Sequence, residues 1–130
     1  MITSPAAKQI HRVDAASGLL TTIVGSGRSG LTGDGGPALS TQLGAPTNLV
    51  FDRAGNMLIA DDDRVRKVDA VTGKVSTVAG GGTSTQDGIP ATQAQLAVQR
   101  ILLDPFDNLY ISGYYSCLLY TSLTDIIFPG

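Results

Sequence analysis

From Thr47 to Gly80 the chain reads TNLVFDRAGNMLIADDDRVRKVDAVTGKVSTVAG. Asn48-Leu49-Val50-Phe51 is apolar and β-prone, and Asp52-Arg53-Ala54-Gly55-Asn56 is a turn in which Gly55 offers a positive φ. Met57-Leu58-Ile59-Ala60 reads as a second strand, broken by Asp61-Asp62-Asp63. Arg64 to Val68 makes a third, Asp69-Ala70-Val71-Thr72-Gly73 turns it, and Lys74 to Ala79 is the fourth. Four antiparallel strands with hairpin-length turns form a meander, the unit from which β-propellers are built. The apolar residues do not alternate strictly, which fits a sheet covered on both faces by neighbouring sheets. A lone meander would leave both faces wet.

Those neighbours are written in the same chain. His11-Arg12-Val13-Asp14-Ala15 sits opposite Arg66-Lys67-Val68-Asp69-Ala70, and the same offset carries Gly18 onto Gly73 and Thr22 onto Thr77. Asp34-Gly35-Gly36-Pro37-Ala38 matches Asp87-Gly88-Ile89-Pro90-Ala91. Leu49-Val50-Phe51-Asp52 and Asn56-Met57-Leu58-Ile59 match Ile101-Leu102-Leu103-Asp104 and Asn108-Leu109-Tyr110-Ile111. The offset drifts only where Gly-rich loops tolerate insertion and deletion. It is a repeat.

Composition agrees. The chain has 130 residues with 9 Lys+Arg against 11 acidic residues, for a net charge of −2. Every acidic residue is Asp; the absence of Glu disfavours helices, and Asp prefers caps and turns. The charge balance argues against a nucleic-acid partner, which needs a clustered basic excess. No apolar run has the length of a membrane span. One Cys excludes an internal disulfide, and one His leaves little material for a triad.

The residues carry a resemblance. Arg66-Lys67-Val68-Asp69, Thr72-Gly73 and Ser76-Thr77-Val78-Ala79-Gly80 resemble the NHL-repeat family, as do Gly33-Asp34-Gly35-Gly36-Pro37-Ala38 and Gln42-Leu43. Leu49-Val50-Phe51-Asp52, Gly55-Asn56 and Met57 to Asp61 fit the same pattern. The resemblance implies an all-β fold of antiparallel four-stranded blades in a propeller, usually six-bladed. It points to secreted bacterial proteins, adhesins of the teneurin type and a few enzymes.

Residues 1–113 are read as the repeat region. They comprise a half blade 1–24, an inter-blade loop 25–46, a full blade 47–80, a second loop 81–98 and a half blade 99–113. That is about two blades' worth of strands, so the expectation is a segment of a larger propeller whose remaining blades come from the same parent chain. Residues 114–130 leave the pattern. Cys117 to Ser122 is what the codons TGT CTC TTA TAC ACA TCT encode, a string resembling the transposase mosaic end of sequencing libraries; the other reading is a divergent strand with a buried Cys. With neighbours absent on both sides, the faces of Leu49, Phe51, Met57, Ile59, Leu102 and Ile111 are expected to be partly uncovered.

Strand parity puts Asp61-Asp62-Asp63-Arg64 at the same end as both inter-blade loops, making a candidate binding face of Asp34, Asp61, Asp62, Arg64 and Asp87. Asp61, Asp62 and Asp63 are weak metal candidates, since hard cations take carboxylate oxygens, but the spacing is not that of an EF-hand. A solvated, strand-ending turn is the favoured reading. Asp34 and Asp87 precede Gly, and each is expected to bond its own downstream backbone. Gly25-Ser26-Gly27-Arg28-Ser29-Gly30 matches a dinucleotide fingerprint by letter only, because no helix follows it. His11 and Arg66 share a repeat position, which reads as a partly exposed strand site. Lys8, Arg12, Arg64, Arg66, Lys67 and Lys74 interleave with Asp and read as a mixed charged surface.

No catalytic residue and no cofactor is assigned. The functional expectation is a non-enzymatic binding, adhesion or protein-interaction scaffold, taking a protein or glycan at the loop face, with no nucleic-acid partner and no membrane span. Its expected location in the parent protein is extracytoplasmic. The rival is a metal-dependent propeller enzyme, of lyase or lactonase type, whose ligands lie in other blades.

Overall fold

A computed structural model describes the backbone of residues 2–4, 7–28, 30, 32–113, 117–122 and 125–127; the side chains of Ile2, Ser4, 117–122 and 125–127 are outside that description. Three antiparallel sheets follow one another along the chain. The first is β1 (Ile2–Ser4), β2 (Gln9–Val13) and β3 (Leu20–Val24). The second is β4 (Pro46–Phe51), β5 (Met57–Asp61), β6 (Arg64–Val68) and β7 (Val75–Gly80), each strand beside the next. The third is β8 (Val98–Leu103), β9 (Leu109–Gly113), β10 (Cys117–Ser122) and β11 (Asp125–Ile127). The fold is all-β, an arc of consecutive meander blades of a propeller. The loops between blades each hold one short 3-10 turn, Ala38–Ser40 and Ala91–Gln93.

Asp side chains close the hairpin turns. Asp14 Oδ1 accepts the Ala16 N–H at 2.8 Å and Asp69 Oδ1 accepts that of Val71 at 2.8 Å. Asp52 and Asp104 do the same for Asn56 and Asn108, at 2.8 and 2.9 Å. A carboxylate on a single methylene reaches the backbone a few residues downstream, and a longer Glu does not hold that geometry.

Strand register repeats as strictly as sequence. Leu49 faces Ile59 and Phe51 faces Met57 in the second blade; Ile101 faces Ile111 and Leu103 faces Leu109 in the third. The third sheet continues past Gly113, with Cys117 opposite Ser112 and Tyr120 opposite Leu109. Residues 114–116, 123–124 and 128–130 of the off-pattern tail lie outside the described residues, as does the Cys117 side chain.

Two apolar layers fill the spaces between blades. Ile10, Val24, Leu43, Met57 and Ile59 pack between the first and second sheets. Leu58, Ala60, Val65 and Ala79 pack against Ile101, Leu109 and Ile111 of the third. Met57 to Ala60 are therefore all buried, alternate residues entering opposite layers, which is why the sequence does not alternate. Met57, Ile59 and Ile111, expected to be partly uncovered, are buried, because each points back onto the blade before it. Full burial of each such side chain stabilises by about 1.5–3 kcal/mol. Leu49 is half-buried, while Phe51 and Leu102 remain 48% and 58% exposed.

Candidate functional site

The turn between β5 and β6 lies between the two inter-blade loops. Asp62 donates its N–H to the Ala45 carbonyl at 3.4 Å, and its own carbonyl accepts the Val98 N–H at 2.8 Å. The Gly81 N–H donates to the Asp63 carbonyl at 3.2 Å. One two-residue turn thus ties the loop entering its blade to the loop leaving it, at the end of the arc that strand parity indicates. Asp62 is exposed with φ 57°, a left-handed conformation that Asp tolerates better than most residues.

The carboxylates of this turn have different fates. Asp61 is fully buried, a correction to the solvated-turn reading. Its Oδ1 accepts the N–H groups of Gly44 and Ala45 at 2.8 and 2.9 Å. Its Oδ2 lies 3.5 Å from Nη1 of Arg66, which is itself fully buried. Burial pushes the Asp61 carboxyl above its ordinary value, against the pull of the Ala45 and Gly44 N–H groups and of the guanidinium. Asp63 pairs instead with its neighbour Arg64 at 2.9 Å, near the surface.

Arg66 is the residue that sequence reasoning placed wrongly. It is not a partly exposed strand position but the centre of the site. Nη1 donates to the Gln42 carbonyl at 2.9 Å, and Nη2 to the Thr32 carbonyl at 3.1 Å and to Asp34 Oδ1 at 2.8 Å. Asp34 Oδ2 accepts the Thr77 hydroxyl at 2.6 Å. Asp34 is thus engaged across the fold with Arg66 and Thr77, a second correction to the sequence reading, which had it bonding its own downstream backbone. The guanidinium pins the entering loop onto β6 and β7 through two carbonyls and one carboxylate, a fork geometry that Lys does not reproduce. His11, the counterpart of Arg66, is half-buried and shares a 2.9 Å hydrogen bond with Thr22, the counterpart of Thr77.

The proposed binding face therefore divides. Asp34, Asp61 and Arg66 are joined to one another and to the loop. Asp62 and Asp87 stand exposed, and Arg64, half-buried, covers Gly81. Among the described residues no group of three or more His, Cys, Asp or Glu side chains is placed to hold a metal ion. Asp61, Asp62 and Asp63 diverge because successive side chains at a strand end point to different sides.

No family model matches the chain, and no curated protein matches it. Among solved structures it is similar to a structural-genomics protein of unknown function from Bacteroides thetaiotaomicron VPI-5482, with a TM-score of 0.71 and 19% identity. The likeness covers 85% of this chain and 28% of that one, so the chain spans little more than a quarter of the solved protein's length. At that identity the comparison shows the fold alone.

Proposed function

We propose that the chain is a segment of an NHL-type propeller that serves as a non-enzymatic interaction scaffold, extracytoplasmic in its parent protein, taking a protein or glycan at the inter-blade-loop face. The observation that carries the reading is the division of charge on that face. Asp61, Arg66 and Asp34 are spent on holding the entering loop against the blade, which leaves Asp62 and Asp87 displayed on a fixed backbone. A fully buried carboxylate already accepting two backbone N–H groups and facing a guanidinium is not free to take a ligand, so binding at this face falls to the exposed carboxylates.

The test is a glycan and peptide array probed with the wild type and with an Asp62→Asn/Asp87→Asn variant, which keeps the left-handed turn at Asp62 and removes both charges. Binding that the variant loses, with thermal unfolding unchanged, is the expected result. Turnover of ester or lactone substrates by the wild type with added divalent cation would overturn the scaffold reading.

A further inference from the structure

Hydrogen bonds from two separate loops converge on Asp61, Asp62 and Asp63. From the loop entering the second blade, the Gly44 and Ala45 N–H groups donate to Asp61 Oδ1 at 2.8 and 2.9 Å, and the Ala45 carbonyl accepts the Asp62 N–H at 3.4 Å. From the loop leaving it, the Val98 N–H donates to the Asp62 carbonyl at 2.8 Å and the Gly81 N–H to the Asp63 carbonyl at 3.2 Å. The sheet ladder does not supply the entering contacts, because Pro46, which lies opposite Asp61, has no N–H to donate.

Asp62 is the centre of the arrangement. Its N–H faces one loop and its carbonyl faces the other, and a φ of 57° sets both directions together. Its side chain is exposed and, among the described residues, makes no hydrogen bond. A Cβ raises the energy of the left-handed conformation, so Asp62 keeps it because the two loops hold it from either side. When one loop lets go, rotation toward the right-handed or extended region turns the remaining polar group away from its partner. The second tether then loses its geometry. The leaving side is tight as well. A Cβ on Gly80 would meet Arg64 Cα at 2.7 Å, and one on Gly81 would meet the Arg64 guanidinium carbon at 3.2 Å, so the chain leaves the blade in contact with the turn.

We propose that turn 61–63 is a shared latch: the entering and leaving loops attach to it and detach from it as one unit, so that ordering either loop orders both. One state is the latched arrangement. In the other, Asp62 has left the left-handed region and the tethers to both loops are open. Coupling between two sites requires an element of this kind, with two states that both sites bias. The latch operates in the free chain and does not depend on what the loop face binds.

Native-state hydrogen exchange on the full chain, read amide by amide, tests it. The amides of Gly44, Ala45, Asp62, Gly81 and Val98 should share one level of protection, below that of the central strands β5 and β6. Asp62→Val, which disfavours the left-handed region and removes no hydrogen bond, should speed all of these amides by a common factor of about ten while β5 and β6 keep their rates. Asp62→Asn, which tolerates that region, should leave them near the wild type. Gly81→Ala, a change confined to the leaving loop, should speed Gly44 and Ala45 as much as Val98, because coupling is reciprocal. A Gly81→Ala chain in which only Gly81 and Val98 speed up overturns the proposal, and so does an equal rise in the Asp62→Asn chain, which would trace to charge. Wild-type protection that differs by more than about tenfold among these amides overturns it without any variant. A rise that spreads equally through β5 and β6 in both Asp62→Val and Gly81→Ala also does, because the loops then open only with the whole blade.

Discussion

Arg66 and Leu118 hold the same register position in consecutive blades: Arg66 lies opposite Ile59, and Leu118 opposite Ile111. Arg66 reaches Asp34 in the loop entering its blade, and Asp87 is the repeat counterpart of Asp34. Among the described residues Asp87 makes no side-chain hydrogen bond. The carboxylate half of the lock is repeated in the third blade and the guanidinium half is not.

A Leu118→Arg substitution should restore the pair. The expected outcome is a higher urea midpoint, with a coupling of about 1–2 kcal/mol in a double-mutant cycle with Asp87→Ala. A destabilised Leu118→Arg chain with no coupling to Asp87 would show that the third blade does not repeat the lock.

In the second blade, Arg66→Met should cost about 3–5 kcal/mol, because it leaves Asp61 as a buried carboxylate without its counter-charge. Arg66→Lys should recover little, since one ammonium does not span the Gln42 and Thr32 carbonyls and Asp34 together. Pairing Arg66→Met with Asp61→Asn should recover part of the loss. Chemical denaturation of the four chains gives the comparison.

The meander and the repeat were legible because they are local: turn residues at fixed positions, and strands whose apolar runs recur. The lock was not, because Arg66 meets Thr32, Asp34 and Gln42 from a loop far back in sequence. Sharing a repeat position with His11 also made Arg66 look like a surface residue. A signal was available in the register. A two-residue Asp62-Asp63 turn places Arg66 opposite Ile59, and cross-strand neighbours share one face, so an Arg beside a core Ile needs buried partners. Asp61 failed to read as buried for a related reason: its partners are backbone N–H groups of Gly44 and Ala45, which leave no side-chain pattern.

Backbone space at the blade ends sets a second contrast. Gly80 has φ +81°, and a Cβ there would meet the Asp63 carbonyl. Gly73 has φ +70° with nothing within 4 Å. Gly80→Ala should therefore cost about 2–3 kcal/mol and Gly73→Ala about 1 kcal/mol, the second reflecting conformation alone. Equal costs in thermal unfolding would remove the steric argument.

The Asp-made turns predict acid sensitivity. The backbone N–H groups of Ala16 and Ser17 hold Asp14 below its ordinary value, and those of Thr72 and Val71 do the same for Asp69. A carboxylate whose folded value is depressed binds fewer protons folded than unfolded. Its stabilisation is present above about pH 4 and is lost as the pH falls through the depressed folded value. The urea midpoint should fall as the pH drops below about 4, and Asp14→Asn/Asp69→Asn should flatten that fall while keeping the turns. Asp61, displaced upward, contributes with the opposite sign: its share is present at low pH and lost as the pH rises through its folded value.

Removing residues 114–130 should convert the chain into a self-associating species. In the full chain β10 covers the edge of β9, with Leu118 opposite Ile111 and Leu119 opposite Tyr110. Without it, β9 presents a row of unpaired backbone groups. Leu102, already 58% exposed, lies on β8 in the same sheet, facing away from the second blade. An open strand edge beside exposed apolar surface is a template for another chain, and β9 contains no Pro to blunt it. Residues 1–113 should show concentration-dependent sedimentation at micromolar concentration and broad unfolding, and Leu102→Thr should reduce the association without lowering the unfolding midpoint. A truncated chain that stays monomeric and unfolds in one sharp transition would mean that the first two blades with β8 and β9 form an autonomous unit, their apolar layers sufficient without the outer strands.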